Sequence, residues 1–133
     1  MAGWGGQRTY DGLTVPVLPR DSILGRRFDG ARILLKVDVE GAEWEVLLGA
    51  ERTMAQRPRV LMELSLSRNH PQGLNPNFRA IFEHFWKLGY SAHAPSRLRE
   101  SITAERVDEW LTTEARTSQE RTSSFRPTHV DAA

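Results

Sequence analysis

Three acidic side chains and one imidazole hold the chemistry available to this chain: Asp38, Glu40, Glu63 and His70. Asp38 and Glu40 close an apolar run, Ile33-Leu34-Leu35-Lys36-Val37-Asp38-Val39-Glu40. It turns on Gly41 and continues as Ala42-Glu43-Trp44-Glu45-Val46-Leu47. Glu63 closes a second apolar run, Val60-Leu61-Met62. If the two runs are adjacent parallel strands, the three carboxylates stand on one rim. His70, in the polar loop after the second run, can reach the same rim. Carboxylates set close together raise at least one pKa among them, which equips that group as a proton acceptor near neutral pH. Such a set suits acid–base work or hydrogen bonding to a bound ligand. Oxygen ligands with one imidazole would also suit Mg or Mn. Nothing in the spacing demands an ion, and no metal site is assigned.

Each residue has a plainer reading as well. Asp38 or Glu40 can simply cap the helix that follows, where exposed N–H groups favour an acid. Gly41 serves the backbone of a tight turn more readily than the close approach of a ligand. Glu63 can be a solvated strand end, and His70 a loop residue. Lys36 lies two residues before Asp38, on the same strand face. A lysine in a buried strand needs a partner, so an ion pair that orients Asp38 is expected.

The elements that must position these groups follow from periodicity. Ala31–Val39 is nearly continuous in apolar character, as in a strand buried on both faces. Ala42, Val46, Leu47, Ala50 and Met54 then repeat at helical spacing, with Glu43 and Glu45 in the first turn, where the helix dipole favours them. Val60–Leu64 reads as the second strand. Asn75-Pro76 starts a helix with the apolar stripe Phe78, Ile81, Phe82, Phe85 and Leu88. Tyr90–Ala94 is a third strand, and Thr103 caps a helix carrying Val107, Trp110 and Leu111. Upstream, Thr14–Leu18 is a short strand limited by Pro16, and Asp21 caps a helical turn closed by Gly25. His84 and His93 are expected at the surface. The first two crossovers suit right-handed βαβ connections between parallel neighbours. The expected fold is α/β, half of a doubly wound sheet. Residues 1–12 and 112–133 read as disordered flanks of a domain spanning 13–111.

Composition narrows the function. The chain has no cysteine and a net charge of +1 over 133 residues, which excludes thiol chemistry and gives no nucleic-acid footprint. Of its 18 basic residues only Lys36 and Lys87 are lysines, and the arginines are scattered rather than clustered. No apolar run approaches the roughly 18 residues of a membrane span, and Met1–Gln7 lacks a secretory pattern. No membrane partner is expected, and a cytoplasmic location is. Gly3-Trp4-Gly5-Gly6 has no strand before it and no helix after it, so it fails the context of a phosphate loop.

Leu35-Lys36-Val37-Asp38-Val39-Glu40-Gly41-Ala42-Glu43, continued by Val46-Leu47-Leu48-Gly49-Ala50, resembles the signature of FkbM-type methyltransferases. Val17–Leu24 resembles the segment preceding that signature, with Pro19 and Arg20 departing from it. Arg59–Leu64 is similar to the next strand, and Phe82–Tyr90 to the helix-to-strand passage after it. The resemblance spans about residues 14–111. It implies a class I, Rossmann-like fold and methyl transfer from S-adenosylmethionine, usually to a hydroxyl of a sugar or natural-product intermediate. On that resemblance Asp38 and Glu40 are catalytic, and Lys36, Gly41, Glu63 and His70 bind substrate or cofactor. The Gly-rich cofactor loop belongs to an N-terminal half of the family domain that has no counterpart here, and Thr122–Phe125 substitutes poorly for its final strand. The chain therefore reads as the C-terminal half of that domain, a truncated enzyme or a non-catalytic interaction module. Its first strand is left with an open edge, through which self-association or a partner chain is expected.

Overall fold

The computed structural model describes residues 16–67, 70, 73–113 and 120–128. Along them run α1 (Arg20–Leu24), β1 (Leu34–Val37), α2 (Glu43–Leu48), α3 (Glu51–Ala55), β2 (Arg59–Ser65), α4 (Phe78–Lys87), β3 (Tyr90–His93), α5 (Ala104–Thr113) and β4 (Glu120–Pro127). The sheet has the order β1-β2-β4-β3. β1 is parallel to β2, and β4 is antiparallel to both of its neighbours.

The expected α/β architecture is present, and its sheet needs two corrections. β2 and β3 run the same way but are not neighbours, because β4 lies between them. β4 itself falls within residues 112–133, read above as disordered. Its sequence ERTSSFRP offers little apolar signal. A strand between two others gains main-chain hydrogen bonds on both sides, and here it needs only its inward residues to pack. Those are Ser123 and Phe125, both buried.

The helices pack against one face of the sheet. Val37, Val60, Met62, Leu64, Tyr90, Ala92 and Phe125 are buried in one cluster with Leu47 of α2, Met54 of α3, four residues of the α4 stripe and Val107 of α5. The opposite face carries Leu34, Lys36, Arg59, Leu61, Ser91, Ser124 and Arg126, all exposed or half-buried. β1 is accordingly shorter than Ala31–Val39 and is not buried on both faces: Val37 is its one buried residue, and Leu34 is 72% exposed. Among the described residues nothing pairs with its outer edge.

The helix expected from Ala42 to Met54 is broken at Gly49-Ala50 into α2 and α3. A Cβ on Gly49 would stand 3.2 Å from Pro19 Cα, so the glycine lets the α1 backbone come close. Asp21, read as the cap of α1, instead caps α3. Its Oδ2 accepts from Arg52 N (2.6 Å), and its Oδ1 accepts from Thr53 N (3.2 Å) and Thr53 Oγ1 (2.7 Å). Burial pulls this carboxyl up. The hydrogen bonds from the Thr53 hydroxyl and the Arg52 and Thr53 amides, with the Arg52 charge, outweigh that and hold it below its ordinary 3.8. The cap therefore contributes fully above that ordinary value and is lost as pH falls through the lowered folded value. Asp21→Ala is expected to cost about 1–2 kcal/mol in urea unfolding at neutral pH. The variant should lose less stability than the parent on acidification.

Smaller corrections concern loops. Pro16–Leu18 is exposed and not in a strand, while residues 1–12 and Thr14–Val15 lie outside the described residues. α4 begins at Phe78, two residues beyond the expected start. Asn75 is buried as a turn residue, its Oδ1 accepting from Asn77 N at 2.9 Å and its Nδ2 donating to Ser65 O at 3.2 Å. His93 is only 3% exposed, contrary to expectation. Its ring nitrogens meet Glu100 O at 3.0 Å and Ser91 Oγ at 2.9 Å. His84 is half-buried and lies edge-on to Trp44, with ring centroids 5.8 Å apart.

Candidate functional site

Parallel pairing of β1 with β2 sets the rim. The register runs Leu34↔Arg59, Leu35↔Val60, Lys36↔Leu61 and Val37↔Met62. One step further along each chain stand Asp38 and Glu63. β1 ends at Val37, whereas β2 runs on through Glu63 to Ser65 beside β4; both acids stand toward the carboxyl side of the parallel pair, the side on which ligands bind in open α/β sheets.

Lys36 links the acids. Its Nζ donates to Asp38 Oδ2 at 2.5 Å. That hydrogen bond first, then the Asp38 charge and the more distant Glu63 charge, raise the lysine above its ordinary 10.5 against a small opposing effect of burial. The expected Lys36–Asp38 pair is thus present. It lies at an exposed edge rather than inside a buried strand, the lysine side chain being 63% exposed.

The turn after Asp38 is strained. Glu40 has φ 54° and Gly41 φ 106°. The left-handed region costs a residue with a Cβ about 1–2 kcal/mol, and such strain gathers at functional sites. It fixes where the chain turns from strand to helix and so where the Asp38 and Glu40 side chains begin.

Glu43, read above as a first-turn acid, does more than favour the helix dipole. It is 2% exposed, and its Oε1 accepts from Gly41 N at 2.9 Å. The side chain reaches back over the turn and holds it, much as the glutamate of a capping box reaches back to the start of its helix. Its Oε2 is buried without a hydrogen-bond partner. The Glu-Gly-Ala-Glu spacing contained the signal: an acid two residues beyond the turn glycine can reach that glycine's amide.

His70 is half-buried in the loop after β2. Its N–H donates to Ser67 O at 3.2 Å, and its carbonyl accepts from Gly73 N at 2.9 Å. Its Nε2 is buried without a partner, so no hydrogen bond through that atom ties the ring to Asp38, Glu40 or Glu63. The structure therefore joins Lys36, Asp38 and Glu63 electrostatically and Gly41 with Glu43. It leaves the imidazole unlinked through Nε2. Among the described residues no group of three or more histidines and acids is placed to hold a metal ion. Asp38, Glu40 and Glu63 stand near Lys36 on this side of the sheet, a set of groups suited to hydrogen bonding a hydroxyl-bearing ligand.

Two comparisons frame these residues. The family described as "Methyltransferase FkbM domain" matches residues 3–92, more than half of the chain, and the match takes in the whole Asp38–Glu43 turn and Glu63. No curated protein and no solved structure matches significantly. No helix among the described residues is long and apolar enough to cross a membrane.

Proposed function

The chain belongs to the FkbM methyltransferase family, and from that premise we propose that its acidic rim serves S-adenosylmethionine-dependent transfer to a hydroxyl oxygen of a sugar or natural-product intermediate. The observation that supports this reading is the register that sets Asp38, just past β1, beside Glu63 of β2 on the carboxyl side of the parallel pair, with Lys36 in the field of both. The donor set fits the cofactor. The buried Glu43 Oε2, at the turn after β1, lacks a hydrogen-bond partner, which suits a ligand carrying sulfonium and ammonium charges.

When bound, the cofactor supplies an electrophilic methyl group, so the protein is left with alignment and proton removal. Asp38 would accept the proton of the acceptor hydroxyl. Lys36 occupies Asp38 Oδ2 and so orients the carboxylate. Glu40 joins Asp38 at the rim. Gly41 holds the turn, while Glu63 and His70 bind the acceptor or the cofactor.

A non-catalytic interaction module keeping this sheet is the second reading. One observation favours it: no described strand is followed by a glycine-rich turn. Incubation with methyl-labelled S-adenosylmethionine and a panel of free sugars separates the two. Label recovered as a base-stable methyl ether supports the enzyme. Absence of label from every acceptor, with the chain folded, supports the module.

A further inference from the structure

Among the described residues the outer edge of β1 is unpaired; it carries a self-complementary pattern, and we propose that a second copy of this chain pairs with it. The proposal rests on the edge alone and is independent of the methyltransferase reading. Ile33 O accepts from Arg59 N at 2.9 Å. Main-chain groups alternate sides along a strand, so Ile33, Leu35 and Val37 turn theirs toward β2. Leu34, Lys36 and Asp38 turn theirs to the open edge.

Two copies related by a two-fold axis would pair antiparallel, outward residue against outward residue. Few registers exist. Centred on Leu35, Lys36 faces Leu34 of the other copy. Centred on Lys36, the two lysines face each other. Centred on Asp38, the two aspartates do. Centred on Val37, Lys36 faces Asp38 twice, and Leu35 lies against Val39, which is 40% exposed. Like charges directly opposite are destabilising and opposite charges stabilising, so the Val37 register is selected. A lysine on an edge strand ordinarily discourages pairing. Here Asp38, two residues on and already bonded to Lys36 at 2.5 Å, makes the edge complementary to itself. The pairing continues the strand through Val39, where the apolar pattern ends, and it brings the partner copy's lysine to each acidic rim.

Charge exchange tests this directly. By light scattering after gel filtration, the parent chain is expected at twice its 15.1 kDa mass. Lys36→Glu places two acids on the edge and Asp38→Lys two lysines, and each variant alone is expected as a monomer. Mixed one to one, they are expected to form a heterodimer with both charge pairs restored. A bond within one chain cannot produce that rescue. The parent dimer should also weaken in about 1 M salt, where charges are screened beyond about 3 Å. That second reading needs no variant to fold. A monomeric parent, dimers in both single variants, no gain on mixing, or a dimer indifferent to salt would each overturn the proposal.

Discussion

Phe125→Ala is expected to destabilise the chain by about 3–5 kcal/mol, the range for removing a buried aromatic ring. Phe125 is 1% exposed. It stacks on Phe85 with centroids 3.8 Å apart and lies 5.4 Å from Phe82. Its position on β4 is paired on both sides, with Val60 of β2 and Ala92 of β3. The cavity would open where helix α4 meets the two central strands. Against a total of about 5–15 kcal/mol for a domain, the loss is a large share. Phe125→Leu, which keeps most of the volume, should cost about 1.5 kcal/mol or less. Urea unfolding followed by circular dichroism reads both. A Phe125→Ala loss below about 1 kcal/mol would mean that β4 does not hold this place in the sheet.

The second large effect is on chemistry. Asp38→Asn keeps the shape of the side chain and removes its negative charge, and with it the proton acceptor and the Lys36 ion pair. Positioned proton transfer contributes about 10²–10⁴-fold to rate, and label transfer is expected to fall by that factor. Lys36 is exposed and its pairing with Asp38 is a surface contact that solvent and salt screen. Stability should therefore change little. A variant that loses transfer and fold together, or that keeps full transfer, would remove Asp38 from the proposed role.

Residues with a strong period were legible in the sequence. Four of the five residues of the α4 stripe, Phe78, Ile81, Phe82 and Phe85, are fully enclosed, whereas Leu88 falls just past the helix and is 37% exposed. The β1–turn–α2 passage and β2 lie where their apolar runs place them, and the Lys36–Asp38 pair follows from two-residue spacing on a strand. Other features depended on contacts that sequence distance hides. Asp21 caps a helix 31 residues away, so its local reading was plausible and wrong. β4 is held by main-chain pairing with two strands and by one aromatic ring, so its polar sequence shows no strand period. Glu43 was visible as a first-turn acid, but its burial comes from packing over the turn. His93 looked like a surface residue, yet Glu100 O and Ser91 Oγ satisfy its ring in the interior.

The central claim is that the rim at the ends of β1 and β2 receives the cofactor, and calorimetric titration with S-adenosylmethionine tests it most directly. The parent chain is expected to give a saturable heat that Asp38→Asn and Glu63→Gln each weaken at least several-fold, while Arg26→Ala, in the exposed segment that precedes β1, leaves it unchanged. A folded chain that gives no heat at millimolar cofactor, or a heat indifferent to both acids, would contradict the account.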